Sequence, residues 1–462
     1  MIASILIAAI LAVVAPSHGR VVVSANHRFL QYEDGTPFFW LGDTAWFLLR
    51  KLDRPETERY LDNRQRKGFN VIQVMVLQDI SDKTAAGVAA LVDGKPEKPN
   101  LAAAANASPN YWDHLDWVID AAAQRDIFVA LVPAWGALAK KGQLTDTNVV
   151  AYTTFLARRY RGKPNLFWIV GGDTPGDRQT SVWKKMGQTL RKEDPGHLIT
   201  YHPFGRTQSS MWFHNETWLD FNMFQSGHRR YDQDTDSPLR YGEDNWRYTR
   251  DDYARQPAKP VLDGEPSYER IPQGLHDPSQ PYWTASDCRR YAYWSVFAGA
   301  FGHTYGDNAV IQFHTAKDGK GSFFPINFWP EAIDDPGSGQ MQFLKRLMLS
   351  RPYFERVPDQ SAISGDISGK PGSRYDYVAA TRGSNYLFAY TYTGRPFEIR
   401  AGILTGAQFR AWWFNPRDGS GQTIGLFSNS GVLKFTPPGT PGPGNDWVLV
   451  LDDSASPARV LP

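Results

Sequence analysis

The chain has 462 residues, 42% apolar and 21% charged, which excludes wholesale disorder and supplies enough apolar surface for a large core. Lys and Arg total 50 against 48 Asp and Glu, a net charge of +2 with no basic run, so nothing in the charge supports a nucleic-acid partner. The single cysteine, Cys288, excludes an intramolecular disulfide and a thiolate metal cluster, and its helical context reads as a buried small apolar residue.

Residues 2–15 form an apolar run followed by Pro16-Ser17-His18-Gly19. The run is shorter than the roughly 20 residues that a bilayer-spanning helix needs, so no membrane span is expected. It has the form of a signal-peptide core, although no Lys or Arg precedes it. An export signal over residues 1–19 and a periplasmic or secreted mature protein are therefore expected.

Apolar runs then alternate with helical patterns. The runs are 38–43, 71–77, 127–133, 166–170, 198–203, 221–225, 260–265 and 298–305, the last the least strand-like. Helix candidates between them are 55–67, 111–125, 148–160, 181–192 and 284–297. Continuous apolar strands each followed by a helix mean a parallel sheet. Eight such units predict an α/β fold, a (β/α)8 barrel over residues 20–350. A doubly wound open sheet is weakened because no Gly-x-Gly-x-x-Gly follows the first strand. Beyond about residue 353 short alternating segments are punctuated by Gly, Pro, Ser and Asn, which predicts a small all-β sandwich over 353–462.

In such a barrel function sits at the C-terminal ends of the strands. That rule selects Asp43 and Trp46 after the first strand, Gln78 after the second, Trp135 after the third and Asp173 after the fourth. It adds His202 on the fifth, Gln225 and His228 after the sixth, Glu265 at the end of the seventh, and His303, Tyr305 and Asp307 near the eighth. Asp173 and Glu265 sit across the mouth from each other, and glycoside hydrolysis needs such a pair of carboxylates. Asp263 shares a face with Glu265 by the strand period, so one of the two is structural, and position favours Glu265 as the functional one. Asp43 remains an alternative acid, and Asp173 alternatively reads as a turn residue. The 16 Trp, 21 Tyr and 26 Phe serve either a core or platforms for sugar rings. Barrel metal hydrolases carry His-x-His at the first strand, where this chain has Gly42-Asp43-Thr44, and no zinc-peptidase, P-loop or Gly-x-Ser-x-Gly motif occurs. No metal or other cofactor is expected.

Several of these segments resemble glycoside hydrolase family 140, the apiosidase-like family: 38–46 (FFWLGDTAW), 68–76 (GFNVIQVMV), 168–173 (WIVGGD), Tyr201-His202-Pro203 and Asp263-Gly264-Glu265-Pro266. The resemblance runs from about residue 29 to 349. It implies a (β/α)8 barrel similar to the large clan A of retaining hydrolases, with Asp173 as acid/base and Glu265 as nucleophile. Clan A enzymes usually show Asn-Glu at the fourth strand, and Gly172-Asp173 departs from that. Residues 411–417 (AWWFNPR) resemble the collagen-binding-type β-domain that often follows this barrel. The implied function is retaining hydrolysis of an apiose-containing plant cell-wall glycan, such as the apiose–galacturonate linkage of rhamnogalacturonan II, by a monomer. The alternatives are hydrolysis of another furanoside or pyranoside, and non-catalytic glycan binding. Specificity is expected in loops 81–108 and 229–255.

Overall fold

Within each of the eight apolar runs lies a strand buried on both faces, as a parallel strand between an inner core and an outer helical layer must be. The computed structural model describes residues 18–102, 108–233, 237, 240–365 and 374–456. The expected export signal, apart from its last two residues, lies outside them. The strands are β1 (Trp40–Thr44), β2 (Val71–Met75), β3 (Phe128–Val132), β4 (Leu166–Gly171), β5 (Ile199–His202), β6 (Asn222–Gln225), β7 (Val261–Asp263) and β8 (Gly302–Tyr305). Hydrogen-bonded neighbours run β5-β4-β3-β2-β1-β8-β7-β6, all parallel. The ring closes between β5 and β6, where Asp220 N–H donates to Ile199 O at 2.9 Å and Thr200 Oγ1 donates to Phe221 O at 2.7 Å.

The helices of the outer layer are α1 (Arg54–Arg66), α2 (Tyr111–Ala123), α3 (Val149–Tyr160), α4 (Thr180–Glu193), α5 (Ser210–Phe213), α6 (Asn245–Tyr253), α7 (Ala285–Phe297) and α8 (Pro336–Leu349). Asp53 caps α1 in a reciprocal capping box with Glu56. Five of these helices coincide with periodic apolar patterns. The other three do not, for local reasons. The face that α6 buries is Asn245, Tyr248, Thr249 and Asp252, so it carries almost no apolar period to read. Gly337 and Gly339 obscure the start of α8, and α5 is a single turn.

Inside the barrel, side chains stack in layers. The lowest is aromatic, with Trp40 4.9 Å from Phe167 and Phe221 5.4 Å from Phe301 between ring centres. Above it Gln73 Nε2 donates to Gly264 O (2.9 Å) and Thr304 Oγ1 (3.0 Å), and Trp40 Nε1 donates to the same hydroxyl (3.1 Å). Trp40, Gly42 and Thr44 therefore face inward on β1, and Leu41 and Asp43 face outward.

The C-terminal part is two antiparallel sheets, as expected for a sandwich. A six-stranded sheet (Val357–Pro358, Val378–Arg382, Tyr386–Thr391, Trp447–Asp453, Gln408–Phe414, Gly421–Ser428) packs on a three-stranded one (Ile363–Ser364, Phe397–Arg400, Val432–Phe435). One face of the larger sheet contributes Leu387, Leu449 and Trp413 to the sandwich core. Its other face, through Tyr386, Phe388, Tyr390 and Val450, belongs to the same apolar core as α7 and the barrel interior. Tyr390 stacks on Tyr293 of α7 at 4.6 Å. Buried Arg289 of α7 makes a two-pronged bond to buried Asp446, both contacts 2.8 Å, and Arg351 pairs with Asp452 the same way at 2.7 and 2.8 Å. Trp413 is buried and Trp412 half-buried, which fits a packing partner of the barrel better than a sugar-binding surface.

Candidate active site

At the C-terminal ends of the strands a cleft of about 330 Å³ opens, lined among others by Trp46, Trp135, Asp173, Gln225, His228 and Glu265. Asp173 lies two residues beyond β4. Gly171 (φ +90°), Gly172 (φ +116°) and Asp173 (φ +49°) all have left-handed backbone, which turns the chain sharply out of the strand. Both glycines are required. A Cβ at Gly171 would lie 2.6 Å from the Tyr201 ring, and one at Gly172 2.6 Å from the Trp135 ring. The turn aims the Asp173 N–H at His202 Nδ1, 3.2 Å away.

Glu265 lies two residues beyond β7 and is buried. His202 Nε2 is 3.0 Å from its Oε2, and His228 Nε2 is 3.0 Å from its Oε1. Because His202 Nδ1 accepts the Asp173 N–H, its proton resides on Nε2, facing Glu265. His228 packs against the ring of Tyr268 at 4.6 Å, and the Tyr268 hydroxyl accepts from Trp46 Nε1 at 3.1 Å. Trp46 and Trp135, 5.2 Å apart between ring centres, flank His202 at 5.5 and 5.7 Å.

This setting drives the two carboxyls apart. Burial raises Glu265, but the bonds from His202 and His228 overcome it and bring it down to about 2. Exclusion of water by the cleft walls, then the charge of Glu265, push Asp173 up to about 7. The nearby His202, the Gly205 N–H and the Gln225 amide oppose that rise without cancelling it. Asp173 stays accessible from the cleft, while Glu265 is enclosed. One group is thus poised to hold a proton near neutral pH while the other stays charged.

Of the residues expected at the site, Trp46, Gln78, Trp135, Asp173, Gln225, His228 and Glu265 line the cleft. His202 reaches Glu265 from the barrel wall. Gln78 has its carbonyl bonded by Arg50 and its N–H held by Asp82 Oδ2 at 2.6 Å. Three expectations are corrected. Asp43 points out of the barrel, fully buried, and accepts from Tyr60 OH and Arg64 Nε of α1, each at 2.6 Å. His303 and Tyr305 have the same outward parity on β8, opposite to Thr304, and Tyr305 donates to Glu269 at 2.6 Å. None of the three reaches the cleft. Asp307 instead caps the short helix Asn308–Ile311.

Asp263 does not share a face with Glu265, because β7 ends at Asp263 and Gly264 breaks the alternation. Asp263 faces outward and accepts from Ser226 Oγ (2.7 Å) and Asn245 Nδ2 (2.9 Å). The described part of loop 81–108 contributes nothing to the cleft, and of the described part of loop 229–255 only Arg229 does. The cleft also uses Tyr268, Gln312 and Phe323, which no strand-end rule selects. Among the described residues, no group of three or more His, Cys, Asp or Glu side chains is arranged to hold a metal ion.

Residues 24–355 match the family model described as "Apiosidase-like, catalytic domain", and residues 357–452 match one described as "Putative collagen-binding domain of a collagenase". A solved structure titled "Glycoside hydrolase" is 45% identical over 96% of this chain and 99% of its own, with a TM-score of 0.91. A glycoside hydrolase family 5 structure from Bacteroides vulgatus ATCC 8482 is 44% identical over 97% of this chain and 98% of its own, also at 0.91. A more distant glycoside hydrolase structure from the same organism, 15% identical over 95% of this chain and 83% of its own with a TM-score of 0.65, shares the fold. No curated protein matches. With more than half of its length matched in this way, the chain belongs to the apiosidase-like catalytic-domain family of glycoside hydrolases.

Proposed function

We propose that the protein is a retaining glycoside hydrolase that releases apiose from a plant cell-wall glycan, with Glu265 as nucleophile and Asp173 as acid/base. The observation that carries the reading is the placement of two carboxyls on one cleft in opposed settings, Glu265 enclosed between His202 and His228 and Asp173 open to the cleft. Glu265 is held charged by two histidines, and Asp173 holds a proton up to about pH 7.

The chemistry follows from that difference. Asp173 donates its proton to the glycosidic oxygen as the bond to the leaving sugar breaks. Glu265 Oε attacks the anomeric carbon from the opposite face and forms a glycosyl ester. Esterification removes the negative charge of Glu265. Asp173, which has given up its proton and no longer faces that charge, stays ionised and suits the second step, in which it takes a proton from the attacking water. Water then displaces Glu265, and the configuration is retained. The Trp46–Trp135 wall offers an apolar face to the sugar, and Gln225 a polar edge.

The apiose preference rests on kinship with apiosidase-like domains. The test is product release from rhamnogalacturonan II and a panel of aryl β-apiosides, with Glu265→Gln beside the native protein. Apiose released by the native enzyme and not by the variant is the expected result. Release of a different sugar would keep the hydrolase reading and overturn the apiose assignment.

A further inference from the structure

The loop between β8 and α8 forms one lip of the cleft, and its backbone is unusual. Gly319 (φ +62°), Gly321 (φ +60°), Phe323 (φ +56°) and Phe324 (φ +55°) are all left-handed within six residues. For glycine this is ordinary. For a bulky phenylalanine it is unfavourable and persists only when the surroundings impose it.

Two buried amides impose it here. Asn308 Nδ2 donates to Phe323 O at 2.7 Å. Gln312 Oε1 accepts the Ser322 N–H at 2.7 Å, and Gln312 Nε2 donates to Ser322 O at 2.8 Å. Both amides stand on or just after the short helix that follows β8, so the strained loop is fixed to the rigid barrel.

What the strain maintains is an exposed apolar surface. Phe323, Phe324, Ile326 and Phe328 are 37%, 39%, 56% and 39% exposed. Burial of apolar surface does not explain their placement, and four exposed apolar side chains within six residues at the lip of a cleft point to a binding surface. Phe323 lines the same cleft as Asp173 and Glu265, and its ring lies 6.1 Å from that of His276, which the β7–α7 loop carries to the cleft.

We propose that Phe323, braced by Asn308 and Gln312, is a specificity-determining residue. It is the platform for the sugar ring next to the one being released, with His276 beside it. This rests on the hydrolase reading above. Phe323 lines the cleft that holds the two carboxyls, so its occupant is the next ring of the same glycan. The apolar C–H face of that ring covers the phenyl group that water now reaches. The enzyme is therefore selective for a leaving group that is itself a sugar.

The test compares two substrates. One is an apiosyl-galacturonate oligosaccharide. The other is apiosyl fluoride, whose leaving group has no ring to place on Phe323. The ratio of their kcat/KM values is expected to fall about tenfold in Phe323→Ala, as for loss of an aromatic anchor, and to be retained in Phe323→Trp. Phe323→Gly relieves the left-handed backbone, so it is expected to lose the same preference with Tm unchanged or higher. An unchanged ratio in Phe323→Ala, in an enzyme that cleaves both substrates, overturns the inference and leaves the hydrolase reading standing. A native enzyme that cleaves neither overturns that reading, and this inference with it.

Discussion

Glu265 Oε2 lies 3.0 Å from His202 Nε2, and the other ring nitrogen of His202 accepts the backbone N–H of Asp173 at 3.2 Å. One imidazole on β5 thus links the backbone of Asp173, just beyond β4, to the carboxyl of Glu265, just beyond β7. The Asp173 N–H fixes its tautomer, and its Nε2 faces the Glu265 carboxylate.

That arrangement makes His202 a positioning residue. In His202→Ala, Glu265 loses the imidazole that faces its Oε2 while its burial remains, so its pKa rises. The acid limb of kcat/KM is expected to move to higher pH, with kcat reduced about 10- to 100-fold, the scale of losing one preorganising interaction. A pH–rate profile checks this. A lower kcat with an unmoved acid limb would show that His202 acts only as packing.

Asp173 gives the other limb. Its carboxyl is held up to about 7, and the first step needs it protonated, so kcat/KM is expected to fall as pH rises through about 7. Asp173→Asn removes that limb and slows hydrolysis of poor leaving groups by about 10²- to 10⁴-fold, with a smaller effect on activated aryl leaving groups. The same shift bears on stability. The folded state holds this proton more tightly than the unfolded chain, so its contribution is present below the ordinary carboxylate range and is lost as pH rises through about 7.

Asp43 tests a different role. It is enclosed with Arg64, and removing it leaves a guanidinium buried without its partner carboxylate. Asp43→Ala is expected to cost about 3–5 kcal/mol of stability. In the fraction that stays folded, KM is expected to match the native value, because the side chain lies outside the cleft. Chemical denaturation and steady-state kinetics together check it. A raised KM at native stability would place Asp43 with the substrate after all.

The barrel and the sandwich share one apolar core, joined by Arg289 and Asp446. Asp446→Ala is expected to destabilise the whole protein by about 3–5 kcal/mol, in a single calorimetric transition rather than two. Two separated transitions would mean that the halves fold independently. Removal of the sandwich exposes Tyr293 and Phe297 on α7 and is expected to make the barrel aggregate.

Much of the fold is legible in the sequence because barrel strands are buried on both faces and appear as unbroken apolar runs. The same property hides their parity. A run such as 38–43 shows no alternation, so it does not reveal that Trp40 faces the interior and Asp43 the helices. For that reason the strand-end rule gathered Asp43, His303 and Tyr305 with residues that do reach the cleft. Tyr268 and Phe323 were invisible for another reason. They stand on loops, where neither period nor propensity fixes direction.

Local pattern alone marks the order of the eight barrel strands and five of the outer helices, the sandwich after the barrel, and the two carboxylates at opposite strand ends. These depend on local burial patterns and on the chain positions of charged side chains among apolar ones. Tertiary structure alone decided which side of each strand faces inward, which histidines hold Glu265, and which loop forms the lip of the cleft. Those outcomes arise from contacts between residues far apart in the chain. Gly264 is one such point, carrying the backbone from outward-facing Asp263 to Glu265 between His202 and His228.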